Sequence, residues 1–107
     1  SEPKLCFTQA GVKRQIELKD AIYFCAEDKY VRMVHTAGEA LLEQSLSQLL
    51  DDYPQQLIRI HRRTVINKAY FARLLSNNGK HWVILNGCSD KLEASRREVS
   101  RLRQSII

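Results

Sequence analysis

The side chains best equipped for chemistry are arginines, gathered in the run Arg59-Ile60-His61-Arg62-Arg63-Thr64-Val65-Ile66-Asn67. Four of its first five residues can carry positive charge. A second pair, Arg96-Arg97, repeats Arg62-Arg63, and a third polar break places Lys29 beside Tyr30 and Arg32. A guanidinium is a planar fork of donors that matches a phosphate, or a guanine edge in the major groove. A charged tip of this kind is poor core material and well suited to gripping an anion. That anion is a nucleic-acid backbone, a small phosphate compound or only solvent counterions; the run itself does not decide. His61, taken alone, reads as a structural hydrogen-bonding histidine and not as a base.

Other chemistries find no footing. The chain has no glycine-rich phosphate loop, no HExxH, no GxSxG and no dinucleotide fingerprint. Cys25 lies in an apolar run, where it reads as a small core residue. His35, His61 and His81 are dispersed without metal-ligand spacing. No catalytic residue, metal site or cofactor is expected.

With 107 residues the chain is expected to fold as one small domain with a modest core. No apolar run approaches the ~20 residues of a membrane span, so no membrane partner is expected. Cys6, Cys25 and Cys88 form no CxxC pair and are odd in number, which suits a reducing cytoplasm. Charge is uneven: residues 1–56 hold 6 Lys/Arg against 9 Asp/Glu, and residues 57–107 hold 11 against 3. Concentrated positive charge is the footprint of a polyanion-binding face.

The elements that must hold these tips read mostly as short strands. Leu5–Thr8 follows an N-terminal tail, Gly11 turns, and Val12–Leu18 alternates as a strand with one wet face. Ala21–Cys25 is a buried strand, Glu27-Asp28-Lys29 breaks it, Tyr30–Thr36 resumes, and Glu39–Leu42 pairs back after Ala37-Gly38. Ser45 and Gln48 have capping-box spacing ahead of the Leu46, Leu49, Leu50 stripe, predicting a helix over about 45–52 that Pro54 closes off. Extended chain returns at 57–59 and 65–67, and Lys68–Phe71 reads as a helical turn. Asn77-Asn78-Gly79-Lys80 is a hairpin turn between Arg73–Leu75 and His81–Leu85. Lys91–Ala94 is a last strand, and Ser95 with Glu98 again has capping-box spacing, for a helix over about 96–106. Arg96 and Arg97 fall in the first turn of that helix, where the dipole favours negative charge. The placement costs a few tenths of a kcal/mol each, ~0.3–1 at most, and becomes favourable if a phosphate docks there.

In order, these residues resemble the LytTR-type DNA-binding domain of bacterial response regulators. The segments that carry the resemblance are Ala21–Phe24 with Glu27–Val31, Ser45-Leu46 with Leu49-Leu50, Ile58–Arg62 with Val65–Asn67, and Ser95–Arg97, over roughly residues 12–106. Tyr30-Val31 after Lys29 and the double arginine after Ser95 look like the branch of alginate-type regulators. The resemblance implies a mainly β, elongated antiparallel domain with two short helices, residues 1–11 being a tail and first short strand and residues 12–107 the DNA-binding domain. It implies a sequence-specific regulator of transcription in which loops read double-stranded DNA in successive major grooves. Carried over by position, Arg62, Arg97, Tyr30 and Val31 are the base-contact candidates. Lys29, Arg32, Arg59, His61, Arg63, Ser95, Arg96 and Arg101 are the phosphate-binding or supporting ones. Relatives often carry a shorter polar side chain where this chain has Arg62. The family further implies targets made of imperfect direct repeats, a dimer on DNA, and an upstream receiver domain phosphorylated on aspartate. The chain is then an excised output domain or a stand-alone regulator.

Two rival readings stay open. An RNA-binding module would array exposed aromatics beside the basic patch, and here most aromatics lie in apolar runs, Tyr30 and Tyr70 excepted. The other is a small phosphate-ligand enzyme or protein-docking domain using the same basic face.

Overall fold

Among the residues the computed structural model describes, 2–106, ten strands and two helices form. The strands are β1 (Lys4–Gln9), β2 (Val12–Glu17), β3 (Ala21–Glu27), β4 (Tyr30–His35), β5 (Gly38–Leu42), β6 (Leu57–His61), β7 (Thr64–Asn67), β8 (Phe71–Asn77), β9 (Lys80–Leu85) and β10 (Lys91–Ala94). The helices are α1 (Leu46–Asp52) and α2 (Arg96–Ser105), and 3-10 turns occupy Leu18–Asp20 and Lys68–Tyr70. All strand pairings are antiparallel: a β1–β2 ribbon, a five-stranded sheet in the order β5-β4-β3-β7-β6, and a three-stranded sheet in the order β10-β9-β8. The molecule is elongated, 45 × 31 × 24 Å.

The unbroken apolar run of β3 follows from its place at the centre of the five-stranded sheet, buried on both faces. One face carries Phe24, Met33 and Val65 against Leu49 of α1 and Leu5 of β1. The other carries Ile58, Ile60 and Ile66 against Val83 of β9 and Val99 and Leu102 of α2. Phe24, Ile60, Val65 and Ile66 are wholly buried, each burial stabilising by roughly 1.5–3 kcal/mol. β7 thus supplies one side chain to each layer, and the loop ahead of it, Arg62-Arg63, is anchored from both sides.

Some local expectations change. β2 stops at Glu17 because Leu18 begins a 3-10 turn, and its first four residues are exposed, Val12 included, so both faces of that part are wet. β1 pairs with β2 over six residue pairs and its Leu5 lies in the core, so the first strand is part of the same folded body as the rest of the domain. Ser45 caps α1 with a complete capping box: Gln48 N donates to Ser45 Oγ (3.1 Å), and Ser45 N to Gln48 Oε1 (2.8 Å). At α2 the box is only half made. Glu98 N donates to Ser95 Oγ, but Ser95 N donates to the Ile60 carbonyl of β6 at 2.8 Å. Glu98, released from that duty, folds inward to 7 % exposure and pairs with Arg101 at 3.1 Å.

Tyr23 joins the two main sheets. Its hydroxyl donates to Asp90, in the segment between β9 and β10, at 2.6 Å. Burial, then the bond to Asp90, push the phenol up to about 12 from its usual 10, while Arg32 opposes the shift. A raised acid contributes stability that is complete below the unfolded value near 10 and is lost as pH rises through 12. We predict that the wild-type chain loses about 2–3 kcal/mol more than Tyr23→Phe between pH 9 and 12, read by urea unfolding. A stability difference between the two that does not change with pH would overturn this.

Candidate nucleic-acid interface

The basic positions lie at one end of the molecule, and backbone bonds place them in a row. At the end of β3, Ala26 N donates to the Arg63 carbonyl (2.8 Å), and Arg63 Nε and Nη2 donate back to the Ala26 carbonyl (3.0 and 2.7 Å). The β3–β4 turn, Asp28-Lys29, therefore abuts the β6–β7 turn, Arg62-Arg63. Two strand spacings of ~4.8 Å set these tips about 10 Å apart. Next, the bond from Ser95 N to the Ile60 carbonyl sets the start of α2 beside the end of β6. Last, Ala94 pairs with His81, so the β8–β9 turn lies beside the start of α2. A Cβ placed on Gly79 would stand 3.6 Å from Arg96 Nη2.

The β6–β7 tip is built from its own side chains. Arg62-Arg63 contains no glycine and no positive φ, so it lacks the primed turn that matches strand twist. The register slips between Arg59 and His61 instead, a bulge that absorbs the mismatch. Arg59 Nη1 donates to the carbonyls of Arg62 (2.6 Å) and His61 (3.4 Å), and Arg63 N donates to His61 Nδ1 (3.2 Å). With Nδ1 accepting, the neutral ring carries its proton on Nε2. Arg59, His61 and Arg63 thus brace the tip, and Arg62 is left projecting.

The predicted residues separate on this basis. Lys29, Arg62, Arg96 and Arg97 are exposed and have no carboxylate partner among the described residues. Tyr30 is 49 % exposed at the first tip. Lys29, Tyr30, Arg59 and Arg62 share a shallow cleft of about 330 Å³, rimmed also by Glu27, Asp28 and the start of α1. Val31 is a correction: it is 4 % exposed and packs in the core, because strand alternation that turns Tyr30 outward turns its neighbour inward. Arg32 is engaged on the sheet face, 3.2 Å from Glu27 and 3.7 Å from Glu39, with its guanidinium 5.8 Å from the Tyr23 ring centre. Arg101 is held by Glu98, and Ser95 serves as the N-cap of α2. The β8–β9 turn with Lys80 joins the row although the sequence marked it only as a reversal. Its basic residue was legible, but its place beside Arg96 depends on a pairing between distant strands.

The fold and this row define a mainly antiparallel β domain with a row of unpaired cations on turn tips and at a helix start. The model of the LytTr DNA-binding domain matches residues 12–107, and the chain belongs to that family. It is 34 % identical over 99 residues to the positive alginate biosynthesis regulatory protein of Pseudomonas aeruginosa PAO1, covering 91 % of this chain and 40 % of that protein. The chain thus spans about two fifths of that relative's length. A LytTr DNA-binding domain from Bacillus cereus superposes with a TM-score of 0.85 at 14 % identity, over 97 % of this chain and 96 % of that one, a likeness of fold. No helix is long and apolar enough to cross a membrane, and no group of three or more His, Cys, Asp or Glu side chains gathers as a metal site among the described residues.

Proposed function

We propose that this chain is the sequence-specific DNA-binding module of a two-component response regulator controlling transcription. It works without catalysis or cofactor, in the cytoplasm, and reads the major groove of double-stranded DNA through its turn tips. The observation that carries the reading is the row of exposed, unpaired cations at one end of a fold belonging to a DNA-binding family. A turn joining two strands ~5 Å apart is narrower than the ~12 Å major groove, so a tip enters where a whole sheet cannot. Arg62 and Arg97 read base edges. Lys29, Arg96 and the start of α2 hold phosphates and so set register. Imperfect direct repeats bound by two copies, and a receiver domain upstream, complete the proposal.

Its test is competition binding of duplex DNA against RNA and free nucleotides over a salt series. If each of the four unpaired cations, Lys29, Arg62, Arg96 and Arg97, displaces a counterion, log K falls with log salt at a slope of about −3 to −4, with a sequence preference that persists. Stronger binding to RNA, where Tyr30 would stack on a base, or indifference to duplex at low salt, sinks the reading.

A further inference from the structure

The basic row does not end at α2. Beyond Arg96 stands the β8–β9 turn, in which Asn78 (φ 54°) and Gly79 (φ 79°) make the tight reversal between Asn77 and Lys80. Asn77, Asn78, Gly79 and Lys80 are all exposed, and Lys80 has no carboxylate partner among the described residues. Arg96 leans toward this turn: its Nη2 lies within van der Waals reach of the space above Gly79, where any larger residue would put a side chain. Lys80 and Arg96 carry like charge and stand at one turn. An external phosphate at this turn would have the Arg96 guanidinium beside it and the Lys80 ammonium on the same turn to draw on.

We infer that the β8–β9 turn and Arg96 form a fourth contact with DNA, a clamp on the phosphodiester backbone flanking the bases read by Arg62 and Arg97. The inference rests on the DNA-binding reading and extends its footprint past α2. It also separates two adjacent arginines by task. Arg96 belongs to the flanking clamp, and Arg97, one position on, leaves the helix about 100° around from it and is assigned to the groove. The clamp carries no base information, so it strengthens binding to every sequence alike.

The experiment compares Lys80→Ala, Arg97→Ala and Arg73→Ala on a duplex selected for tight binding and on one shortened at the α2 side. Arg73 is the charge control, exposed on the same hairpin about 13 Å from the turn, beyond the ~8 Å Debye length at physiological salt. Lys80→Ala is expected to bind the long duplex several-fold more weakly, with a salt slope shallower by about one and unchanged base preference. On the shortened duplex it should equal wild type, and Arg73→Ala should equal wild type on both. The clamp is overturned if Lys80→Ala matches wild type on the long duplex while Arg97→Ala is weakened, or if Arg73→Ala loses as much as Lys80→Ala. If neither Lys80→Ala nor Arg97→Ala is weakened, the DNA-binding reading fails and takes the clamp with it.

Discussion

Arg62→Ala and Arg97→Ala are each expected to weaken binding to a cognate duplex by about 5- to 150-fold, ~1–3 kcal/mol, and to relax preference at one base pair. Both side chains are exposed and free of carboxylates among the described residues, so no internal bond need break before they engage DNA. The turn that carries Arg62 is already fixed by Arg59, His61 and Arg63, which limits the ordering entropy lost on binding. Truncation at residue 62 removes a guanidinium without disturbing those braces, so thermal unfolding should stay within about 0.5 kcal/mol of wild type. Lysine at either position separates the two roles an arginine can play. Arg62→Lys keeps the charge and hence the salt slope, but cannot offer two parallel donors to guanine O6 and N7. Binding across duplexes varied one base pair at a time distinguishes them. Uniform loss over all sequences would reassign Arg62 to the backbone.

The cost of phosphate-directed charge is visible in how the tips are arranged. At the ~10 Å spacing of the first two tips, cations feel one another through little more than a Debye length of salt, so they can coexist unpaired on the free protein. Two arginines near these tips are neutralised within the protein: Arg32 by Glu27 and Glu39, and Arg101 by Glu98. Arginines that look equivalent in sequence therefore differ in whether a carboxylate or carbonyl of the protein already holds them.

That distinction marks the limit of what the sequence disclosed. The succession of strands and helices was legible because it is written locally, in two-residue periods, in the Asn78-Gly79 reversal and in the Ser45–Gln48 box. Ser95 and Glu98 have the same spacing, yet their box is half formed because the Ile60 carbonyl, 35 residues earlier, takes the Ser95 amide. The same tertiary bond aligns the start of α2 with the β6–β7 turn, so the row of tips could not be read from any window of sequence. Val31 was a different failure. The alternation that exposes Tyr30 already implied its burial, and positional likeness to a family of binders overrode a local rule. Arg59 and Arg62 differ by three residues and carry the same charge. Only the bulge between Arg59 and His61 shows which turns back to hold the loop.

The largest effect on stability is expected at Asn67, a residue that closes the basic run and touches none of its tips. It is 3 % exposed at the end of β7. Its Nδ2 donates to the carbonyls of Leu18 (3.2 Å) and Ala21 (2.8 Å), and its Oδ1 accepts from Ala69 N (3.0 Å). One side chain thus ties the 3-10 turn that enters β3 to the 3-10 turn that leaves β7, the two strands that position the β6–β7 tip. Leu18 O retains the Ala21 amide as a partner, but Asn67→Ala strips the Asn67 bond from the buried carbonyl of Ala21, while Ala69 N, in an exposed residue, is left to water. We expect a loss of about 1–3 kcal/mol, the cost of one unsatisfied buried group. For a domain of this size that lowers the Tm by roughly 5–20 °C. Asn67→Asp tests the mechanism, since it keeps the shape and replaces the donor with a carboxylate facing two carbonyl oxygens. That carboxyl should titrate above its unfolded value, so the variant is least impaired below about pH 4 and loses stability as pH rises through the folded value. Below its melting transition Asn67→Ala should bind DNA as wild type does, once corrected for the folded fraction. A weakened affinity in the fully folded variant, with its melting temperature unchanged, would instead make Asn67 part of the interface.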